Sequence, residues 1–510
     1  MRKSLSLFLA VVMLLTLAAL PAAAAEEAPF VITMVAPFFA DQPPVGTTGE
    51  EGNPVLEAVE KMCNVDLQIT WAPQGDYASK FNTVMASNDQ PMVMVVNSGL
   101  TKNATYLENC QFGAFWDLTD YIAKRELFTN ELTTPYSLTV TAVGGRNYLF
   151  PLLVSSARVA MLYRQDWLDK LGISVPTTAK EFYEMAKAFT EKDPDGNGVK
   201  DTYGFAYIDD ADKELTYAGF DTLAVALGTP NRWGKDKDGK IMPYFTFPQY
   251  MDTLNLFKDM YDNGYMNSDF ALVKGNDKHL PLGEGKAGAM FTTATNARHP
   301  GGKYDNLFDV ITPTAVIGRN YLLADPSGNK VVNSTLAVGG LGGVLLTKAA
   351  VKDEATVERI MDFFEKLQAE DGACKFLTVG VQDIHYTQGA DGVITISGEQ
   401  AALRASDGSS EAFISIAPRR VVAPDFGQGR TELDLINLEA VSNEPYAVPD
   451  LSVGKFDPDL MNLEASIATI ISDARVQYIM GQIDAAGFEK AVSDWMDQGG
   501  NDLIAAVNAQ

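Results

Sequence analysis

The chain has 510 residues, of which 46% are hydrophobic and 10% aromatic, a composition typical of a globular protein and not of a disordered one. Its 66 acidic and 40 basic residues give a net charge of −26 at pH 7, which argues against binding to nucleic acid or to an anionic membrane surface. The length predicts two or three domains.

The first 25 residues have the pattern of an export signal. Arg2 and Lys3 form a basic start, residues 5–20 are apolar, and the small residues 21–25 predict cleavage before Glu26. An uncleaved anchor is the alternative, which the Ala-x-Ala pattern disfavours. The segment has no cysteine to carry a lipid, so we expect an exported protein, periplasmic or extracellular, without a lipobox.

Strands and helices alternate in the first hundred residues. Strands are predicted at 31–36, 65–71 and 92–96. Asn53 and Pro54 begin one intervening helix, and the other covers 76–87. This order indicates a parallel α/β arrangement.

The same mixture continues to the end of the chain. A strand is predicted at 159–164, followed by a helix capped by Asp166 and another helix capped at Thr177-Thr178. The remaining predictions are strands at 203–207, 285–291 and 342–347, and helices at 249–264, 353–369, 461–480 and 484–497.

An acidic loop with the spacing of calcium ligands lies between the helix capped at Thr177-Thr178 and strand 203–207. Oxygen-bearing side chains fall at its first, third, fifth and ninth positions, the sixth is Gly196, and the seventh would contribute a backbone carbonyl. The predicted metal ligands are Asp193, Asp195, Asn197, Val199 and Asp201. The twelfth position is Gly204 and not the glutamate of an EF-hand, so we expect a structural Ca²⁺ site. The alternative is a solvated Asp/Gly turn without metal.

The cysteines and histidines do not suggest a metal or redox centre. Cys63, Cys110 and Cys374 lack metal-ligand and redox spacing, and we expect small buried residues, with one disulfide plus a free thiol as the alternative. The three histidines form no zinc motif.

Several short patterns share one order along the chain. They are Ala86–Pro91 before a buried strand, Tyr163–Ile173 followed by 176–178, the loop 193–201 before Tyr203-Gly204, Gly285–Met290, Gly380–Tyr386, and Tyr478–Gly481 before a helix with Trp495. In these features the chain resembles extracellular solute-binding proteins of family 1, the sugar-type binding components of ABC importers, and in particular their long LplA-like branch.

This resemblance implies an α/β, two-lobed, periplasmic-binding-protein-like fold of type II. The ligand would lie in a cleft between lobes that are joined by crossing hinge strands. We expect residues 26–153 plus 288–336 to form the N-terminal lobe and residues 154–287 plus 337–510 the C-terminal lobe. The implied function is capture of a carbohydrate, in particular an oligosaccharide, by hinge closure and its delivery to the transmembrane subunits of an ABC permease. We expect a monomer.

Sugar sites combine flat aromatic rings with amide, acid and guanidinium groups. On this basis the candidate ligand-binding residues are Asn97, Trp116, Trp233, Phe291, Asn296, Arg298 and Tyr386. Trp233 stands in a polar loop where core burial is not expected. For each candidate, packing or a solvated loop position is the alternative, and Trp167 and Trp495 are expected in the core.

Other classes of function remain open. The chain has no nucleophile elbow, zinc-protease helix or P-loop, so we expect no enzyme activity. A pair of carboxylates could nevertheless serve glycoside hydrolysis, which leaves a secreted carbohydrate-active enzyme as one alternative. A binding protein for peptides or other solutes, or a partner of a membrane sensor, is another.

Overall fold

The computed structural model of the protein describes residues 28–38, 43–44, 46, 52–97, 100–101, 103–125, 141–151, 155–209, 219–273, 280–297, 315–333, 342–369, 372–407, 427, 429 and 432–509. The predicted export signal and Arg298 lie outside these residues.

The strands are numbered in chain order. They are β1 (Phe30–Phe38), β2 (Val65–Pro73), β3 (Val93–Val96), β4 (Ala142–Val143), β5 (Arg146–Asn147), β6 (Phe150–Pro151), β7 (Val159–Arg164), β8 (Tyr203–Ala206), β9 (Trp233–Lys235), β10 (Ile241–Pro243), β11 (Ala287–Thr293), β12 (Ile317–Asn320), β13 (Leu323–Ala324), β14 (Lys330–Asn333), β15 (Gly343–Leu346), β16 (Thr387–Gln388), β17 (Ile394–Thr395) and β18 (Ala447–Val448).

The α-helices are numbered in the same way. They are α1 (Pro54–Cys63), α2 (Tyr77–Met85), α3 (Ala104–Gln111), α4 (Thr119–Ala123), α5 (Gln165–Leu171), α6 (Ala179–Glu191), α7 (Gly219–Ala226), α8 (Pro248–Asp262), α9 (Leu280–Gly283), α10 (Glu354–Gln368), α11 (Cys374–Thr378), α12 (Gly398–Asp407), α13 (Glu432–Asn443), α14 (Pro458–Ile479), α15 (Ala485–Trp495) and α16 (Asn501–Asn508). Every predicted strand and helix is present, with ends within three residues of the prediction.

One sheet has the strand order β2-β1-β3-β15-β6. The strands β1, β2 and β3 are parallel, as predicted, whereas β15 is antiparallel to both of its neighbours. The β3 and β15 residues are all buried, and both strands are continuously apolar, as is typical of strands that are covered on both faces. Val93–Val96 and Leu345 therefore lie at the centre of the first hydrophobic core.

A second sheet has the strand order β12-β7-β11-β8. Here β11 is antiparallel to β7 and parallel to β8. Aromatic rings dominate its core: Phe182 packs edge-on to Phe205 at 5.0 Å between ring centroids and lies 5.2 Å from Phe291. Burying each such ring contributes about 1.5–3 kcal/mol, so this cluster is a major source of stability.

The two sheets define two lobes. The first lobe comprises residues 28–151 and 342–407, and the second comprises 155–333 and 432–509. This grouping follows the strand pairing and the two separate hydrophobic cores. The hydrogen bond from Asn53 Nδ2 to the Asp407 carbonyl, 2.9 Å long, joins the end of α12 to the first lobe.

This division differs from the predicted boundaries. Residues 288–336 were expected in the first lobe, but β11 and β12 pair with β7 in the second sheet. Residues after 337 were expected in the second lobe, but β15 pairs with β3 and α10 packs in the first core. The difference arises because a short, fully apolar strand can fit the centre of either sheet, and its own sequence does not specify its partners.

Capping residues explain where several helices begin. Asn53 Oδ1 accepts from the Leu56 N–H at 2.9 Å, and Thr178 Oγ1 accepts from the Glu181 N–H at 3.1 Å, so both predicted caps are confirmed. The prediction that Asp166 is a cap is wrong. Asp166 lies inside the first turn of α5 and instead binds Arg164, with Nε–Oδ1 and Nη2–Oδ2 distances of 2.8 and 2.5 Å.

Helix α14 contacts both lobes. It packs mainly in the second core, yet it also contacts α3 of the first lobe, and Met461 packs against both cores. The three cysteines are buried, which confirms the expectation of small buried residues. Among the described helices, none is long and apolar enough to span a bilayer.

Candidate functional site

The two sheets present the ends of their strands to the segments that cross between lobes. In the first sheet, Gly343 pairs with Val96 at the end of β3 and with Pro151, the last described residue before the first crossing. In the second sheet, Val159 after that crossing pairs with Thr293 at the end of β11. The carboxyl ends of β3, β8 and β11 therefore lie toward the crossings, where open α/β sheets bind ligands. We call this region the cleft edge.

The first described residues after the first crossing are held to the second lobe by hydrogen bonds. Glu444 Oε1 accepts from Ser155 Oγ at 3.0 Å and from the Ser156 N–H at 3.1 Å. The strand β14, which ends just before the second crossing, pairs in parallel with β18, which lies three residues after Glu444. The second-lobe ends of these two crossings are therefore held by hydrogen bonds.

On the first lobe, the candidates Asn97 and Trp116 lie at opposite ends of the sheet. Asn97 follows β3 at the cleft edge and is 6% exposed; its Oδ1 accepts from the Leu100 N–H at 3.0 Å and its Nδ2 donates to Gln74 Oε1 at 3.3 Å. The Trp116 N–H donates to the Leu346 carbonyl, at the far end of β15, and its Nε1 donates to Val351 O at 3.0 Å. Only Asn97 is thus brought to the cleft edge.

On the second lobe, the aromatic candidates are buried. Phe291 in β11 belongs to the second core. Trp233 is 4% exposed and packs against Phe456 and Trp495, with ring centroids 5.8 and 6.2 Å away. The expectation that Trp233 is not buried in the core is wrong. Its neighbours in sequence are polar, but residues distant in sequence enclose its ring. Trp167 and Trp495 are buried, as predicted.

The remaining candidates are divided between the described and undescribed parts of the chain. Asn296 lies in a short helical turn directly after β11, near the cleft edge; its side chain is outside the described residues, as is Arg298. Tyr386 is buried with Val379 and Ile394, and Lys375 Nζ lies 5.3 Å from its ring centroid. Ligand contact by these residues stays a prediction.

The carboxylates of the acidic loop accept hydrogen bonds from backbone N–H groups and from one side-chain amide. The N–H groups of Gly196 and Gly198, both at positive φ, donate to the Asp193 carboxylate at 3.0 and 3.1 Å. Asn197 Nδ2 donates to Asp195 Oδ2 at 2.7 Å and to Asp201 Oδ1 at 3.2 Å. Burial and the neighbouring Asp193 raise the pKa of Asp195.

The loop therefore brings the predicted side chains together without a closed ligand shell. Within the described part of the chain, no three acidic, histidine or cysteine side chains form a group that could hold a metal ion. The amide of Asn197 occupies the point on which two carboxylates converge, a position that suits positive charge.

A buried polar network in the second lobe escaped the sequence reasoning. Asp209, just beyond β8 at the cleft edge, accepts from Arg475 Nε at 2.7 Å and Nη2 at 2.5 Å, and from the Tyr207 hydroxyl at 2.7 Å. The hydroxyl of Tyr244 lies 3.5 Å from Arg475 Nη1 and donates to Asp221 Oδ1 at 3.2 Å. Asp209 could have been found by the rule that identified Asn97, a polar residue after a buried strand, but nothing in the sequence pairs it with Arg475.

Comparison with known proteins agrees with this architecture. Residues 47–373 match the family model described as bacterial extracellular solute-binding protein. Lipoprotein LipO of Bacillus subtilis is 31% identical over 489 residues, covering 94% of this chain and 91% of LipO. The polygalacturonan/rhamnogalacturonan-binding protein YtcQ of B. subtilis is 30% identical over 453 residues, covering 88% of this chain and 86% of YtcQ.

Solved structures show the same fold. A solute-binding protein from Bifidobacterium longum infantis, described as HMO-binding and ABC-transporter-associated, has a TM-score of 0.65 at 18% identity and covers 95% of this chain and 98% of its own. An EF-hand mutant of FusA from S. pneumoniae has a TM-score of 0.62 at 18% identity, covering 94% and 98%. The protein therefore has the two-lobed fold and belongs to the bacterial extracellular solute-binding protein family.

Proposed function

We propose that this protein is exported, captures a carbohydrate between its lobes and delivers it to an ABC permease. One observation carries the proposal: relatives at 31% and 30% identity match nearly the full chain, and one of them is named for binding polygalacturonan and rhamnogalacturonan. Membership of an extracellular family supports export, and the apolar, basic-led residues 1–25 would direct it.

The cleft edge supports capture by hinge closure. Asn97 on one lobe and Asp209 on the other follow strands that end toward the crossings. In a hinge closure, dihedral changes at a few connecting residues are sufficient to rotate one lobe against the other. Amide groups suit the hydroxyls of a sugar, and the guanidinium of Arg298 would suit either hydroxyls or a sugar carboxylate. We assign the lobes to 28–151 with 342–407 and to 155–333 with 432–509.

The acidic loop is proposed to hold a structural Ca²⁺. Asp193, Asp195, Asn197 and Asp201 would supply side-chain oxygens and Val199 its carbonyl, all of them hard ligands that Ca²⁺ prefers. Two features support this fit: the carboxylates of Asp195 and Asp201 converge on one amide donor, and Gly196 provides the sharp turn. The EF-hand named in the FusA mutant is a property of that relative and motivates the same test here.

A ligand screen by thermal denaturation tests the function. The purified chain is mixed with kestose, nystose, oligogalacturonides and rhamnogalacturonan fragments, with peptides of similar size as controls. We expect at least one carbohydrate to raise the melting temperature, because a ligand that binds only the folded state stabilises it. Stabilisation by peptides alone would overturn the carbohydrate assignment.

The same mixtures distinguish a binding protein from an enzyme. We expect each oligosaccharide to be recovered uncleaved after prolonged incubation, as judged by chromatography. Cleavage products would instead favour the secreted carbohydrate-active enzyme.

A further inference from the structure

Asp209 and Arg475 form a buried ion pair at the cleft edge. The Asp209 side chain is 0% exposed and that of Arg475 is 9% exposed. The guanidinium forks onto both carboxylate oxygens and lies over the Phe220 ring, 5.0 Å from its centroid. These contacts leave the Asp209 carboxylate a single orientation.

The pair connects the end of β8 and the start of α7 with α14, and 266 positions separate Asp209 from Arg475. Asp209 extends β8, and its N–H donates to Phe270 O at 3.1 Å. Tyr244 links Arg475 to Asp221 in the first turn of α7. Arg475 itself belongs to the 22-residue α14, whose neighbouring residues Ile471, Ala474 and Ile479 are buried in the second core. A long packed helix therefore sets the positions of a strand end and a helix start.

Stability alone does not account for this arrangement. Burying two charges costs desolvation energy that their attraction offsets only when the geometry is very good, and apolar replacements of similar volume are often equally stable. A paired charge does, however, fix one geometry, since a shifted carboxylate would lose two strong hydrogen bonds at once. The network is thus better suited to holding the cleft edge in place than to strengthening the core.

We propose that Arg475 is a positioning residue for ligand binding: through Asp209 it holds the end of β8 in the arrangement that meets a carbohydrate in the cleft. This inference rests on the proposed function. Arg475 would act through Asp209 and not by touching the ligand.

The far end of the same sheet supplies a matched control. Arg164 and Asp166 form an equally bidentate pair, and Arg164 lies 4.5 Å from the Trp167 ring centroid. The exposed fractions of these two side chains are 8% and 26%. This pair lies at the carboxyl end of β7 and the start of α5, opposite to the crossings, so its loss should affect stability without changing the cleft.

The test compares Arg475→Lys with Arg164→Lys, which keep the charge and remove the fork. Affinities for nystose and for trigalacturonate are measured by calorimetry well below the melting temperature of each variant. We expect Arg475→Lys to bind at least about tenfold more weakly than the native protein, the equivalent of one well-placed hydrogen bond, and Arg164→Lys to bind within about twofold of native. Equal affinities for both variants and the native protein would overturn the proposal.

A milder variant covers the case in which Arg475→Lys does not fold. Tyr207→Phe removes the hydroxyl that donates to Asp209 Oδ2 and keeps the ring, and we expect about threefold weaker binding. Unchanged affinity in Tyr207→Phe would then count against the proposal.

Amide hydrogen exchange separates this inference from the proposed function. Exchange over residues 203–209 should be at least about tenfold faster in Arg475→Lys, or in Tyr207→Phe if the former does not fold, and unchanged in Arg164→Lys. If native protein binds neither probe, the exchange result alone decides whether Arg475 positions the strand end. Unaltered exchange would overturn the positioning role whatever binds.

Discussion

Carboxylates lie at both ends of the second sheet, but they differ in exposure and in the groups that bind them. At the far end, the acids of loop 193–201 are largely exposed, share the amide of Asn197 and accept backbone N–H groups. At the cleft edge, Asp209 is fully buried and its carboxylate is held by Arg475. The loop carboxylates are exposed and have the Lys170 ammonium beside them, 3.5 Å from the Asp193 carbonyl oxygen, whereas the Asp209 carboxylate is bound by a buried guanidinium that holds it in one geometry. The far end is therefore where we propose a bound metal, and the cleft edge is where the geometry is fixed by the protein's own charges.

The largest expected effect on the free energy of unfolding comes from breaking the buried ion pair at the cleft edge. Asp209→Ala leaves Arg475 buried without its partner and should cost about 3–5 kcal/mol of unfolding free energy, whereas Asp166→Ala, at a more exposed pair, should cost about 1 kcal/mol. Urea denaturation of both variants measures the difference. Equal losses would mean that the two ends of the sheet are energetically alike.

A third carboxyl in the second lobe extends the comparison to pH. Burial raises the pKa of Asp450 to about 6, although hydrogen bonds from the N–H and hydroxyl of Ser452 oppose the shift. Because this pKa is higher in the folded state than in the unfolded one, the folded protein binds the proton more tightly. Stability from this group is therefore present at low pH and lost as the pH rises through 6.

Asp450→Asn tests that effect. Asparagine keeps an oxygen that can accept from Ser452 and cannot ionise. Relative to the native protein, the variant should gain about 2 kcal/mol between pH 4 and pH 7, most of the cost of ionising Asp450 in its buried position. Parallel pH profiles of unfolding free energy for both proteins would contradict the assignment.

Removal of Ca²⁺ should act on the far end alone. At 1 mM Ca²⁺, a site with a dissociation constant near 10⁻⁴ M contributes about 1.4 kcal/mol, so a chelator should lower the melting temperature. Affinity for nystose or trigalacturonate should not change. Asp193→Asn serves as the control, since it should be less stable in Ca²⁺ and respond less to the chelator. An unchanged melting temperature of the native protein would remove the metal assignment.

The smallest effect concerns the helix that precedes the loop. Thr178→Ala removes the hydroxyl that accepts from the Glu181 N–H at the start of α6 and should cost about 1 kcal/mol. Thr83→Ala is the control, because this exposed hydroxyl inside α2 donates only to the Ser79 carbonyl of its own helix. Urea denaturation should separate the two, and equal costs would show that the cap is unimportant.

The sequence predicted local structure well and tertiary partners poorly. Periodicity and capping residues such as Asn53 and Thr178 act over a few positions, so the helices and strands were found nearly at their observed ends. The partners of β11 and β15 depend on distant segments, and the lobe boundaries drawn from sequence consequently differ from the observed pairing.

The same distinction applies to the site. The acidic loop is contiguous, so its convergence was predicted from spacing. Trp233 and the pair of Asp209 with Arg475 depend on contacts between distant residues, and 266 positions separate the two members of that pair. Polar neighbours suggested an exposed Trp233, although the ring is enclosed by Phe456 and Trp495.

The central position of β15 has a consequence for the order in which the protein can be made. β15 lies between β3 and β6, yet it follows the entire 155–333 segment along the chain. A chain that emerges from its amino terminus would pair β1, β2 and β3 early and then leave an apolar edge of β3 open while the next lobe is synthesised. Such an edge readily pairs with other chains. Keeping the polypeptide unfolded until Gly343–Leu346 has emerged would therefore protect it from aggregation.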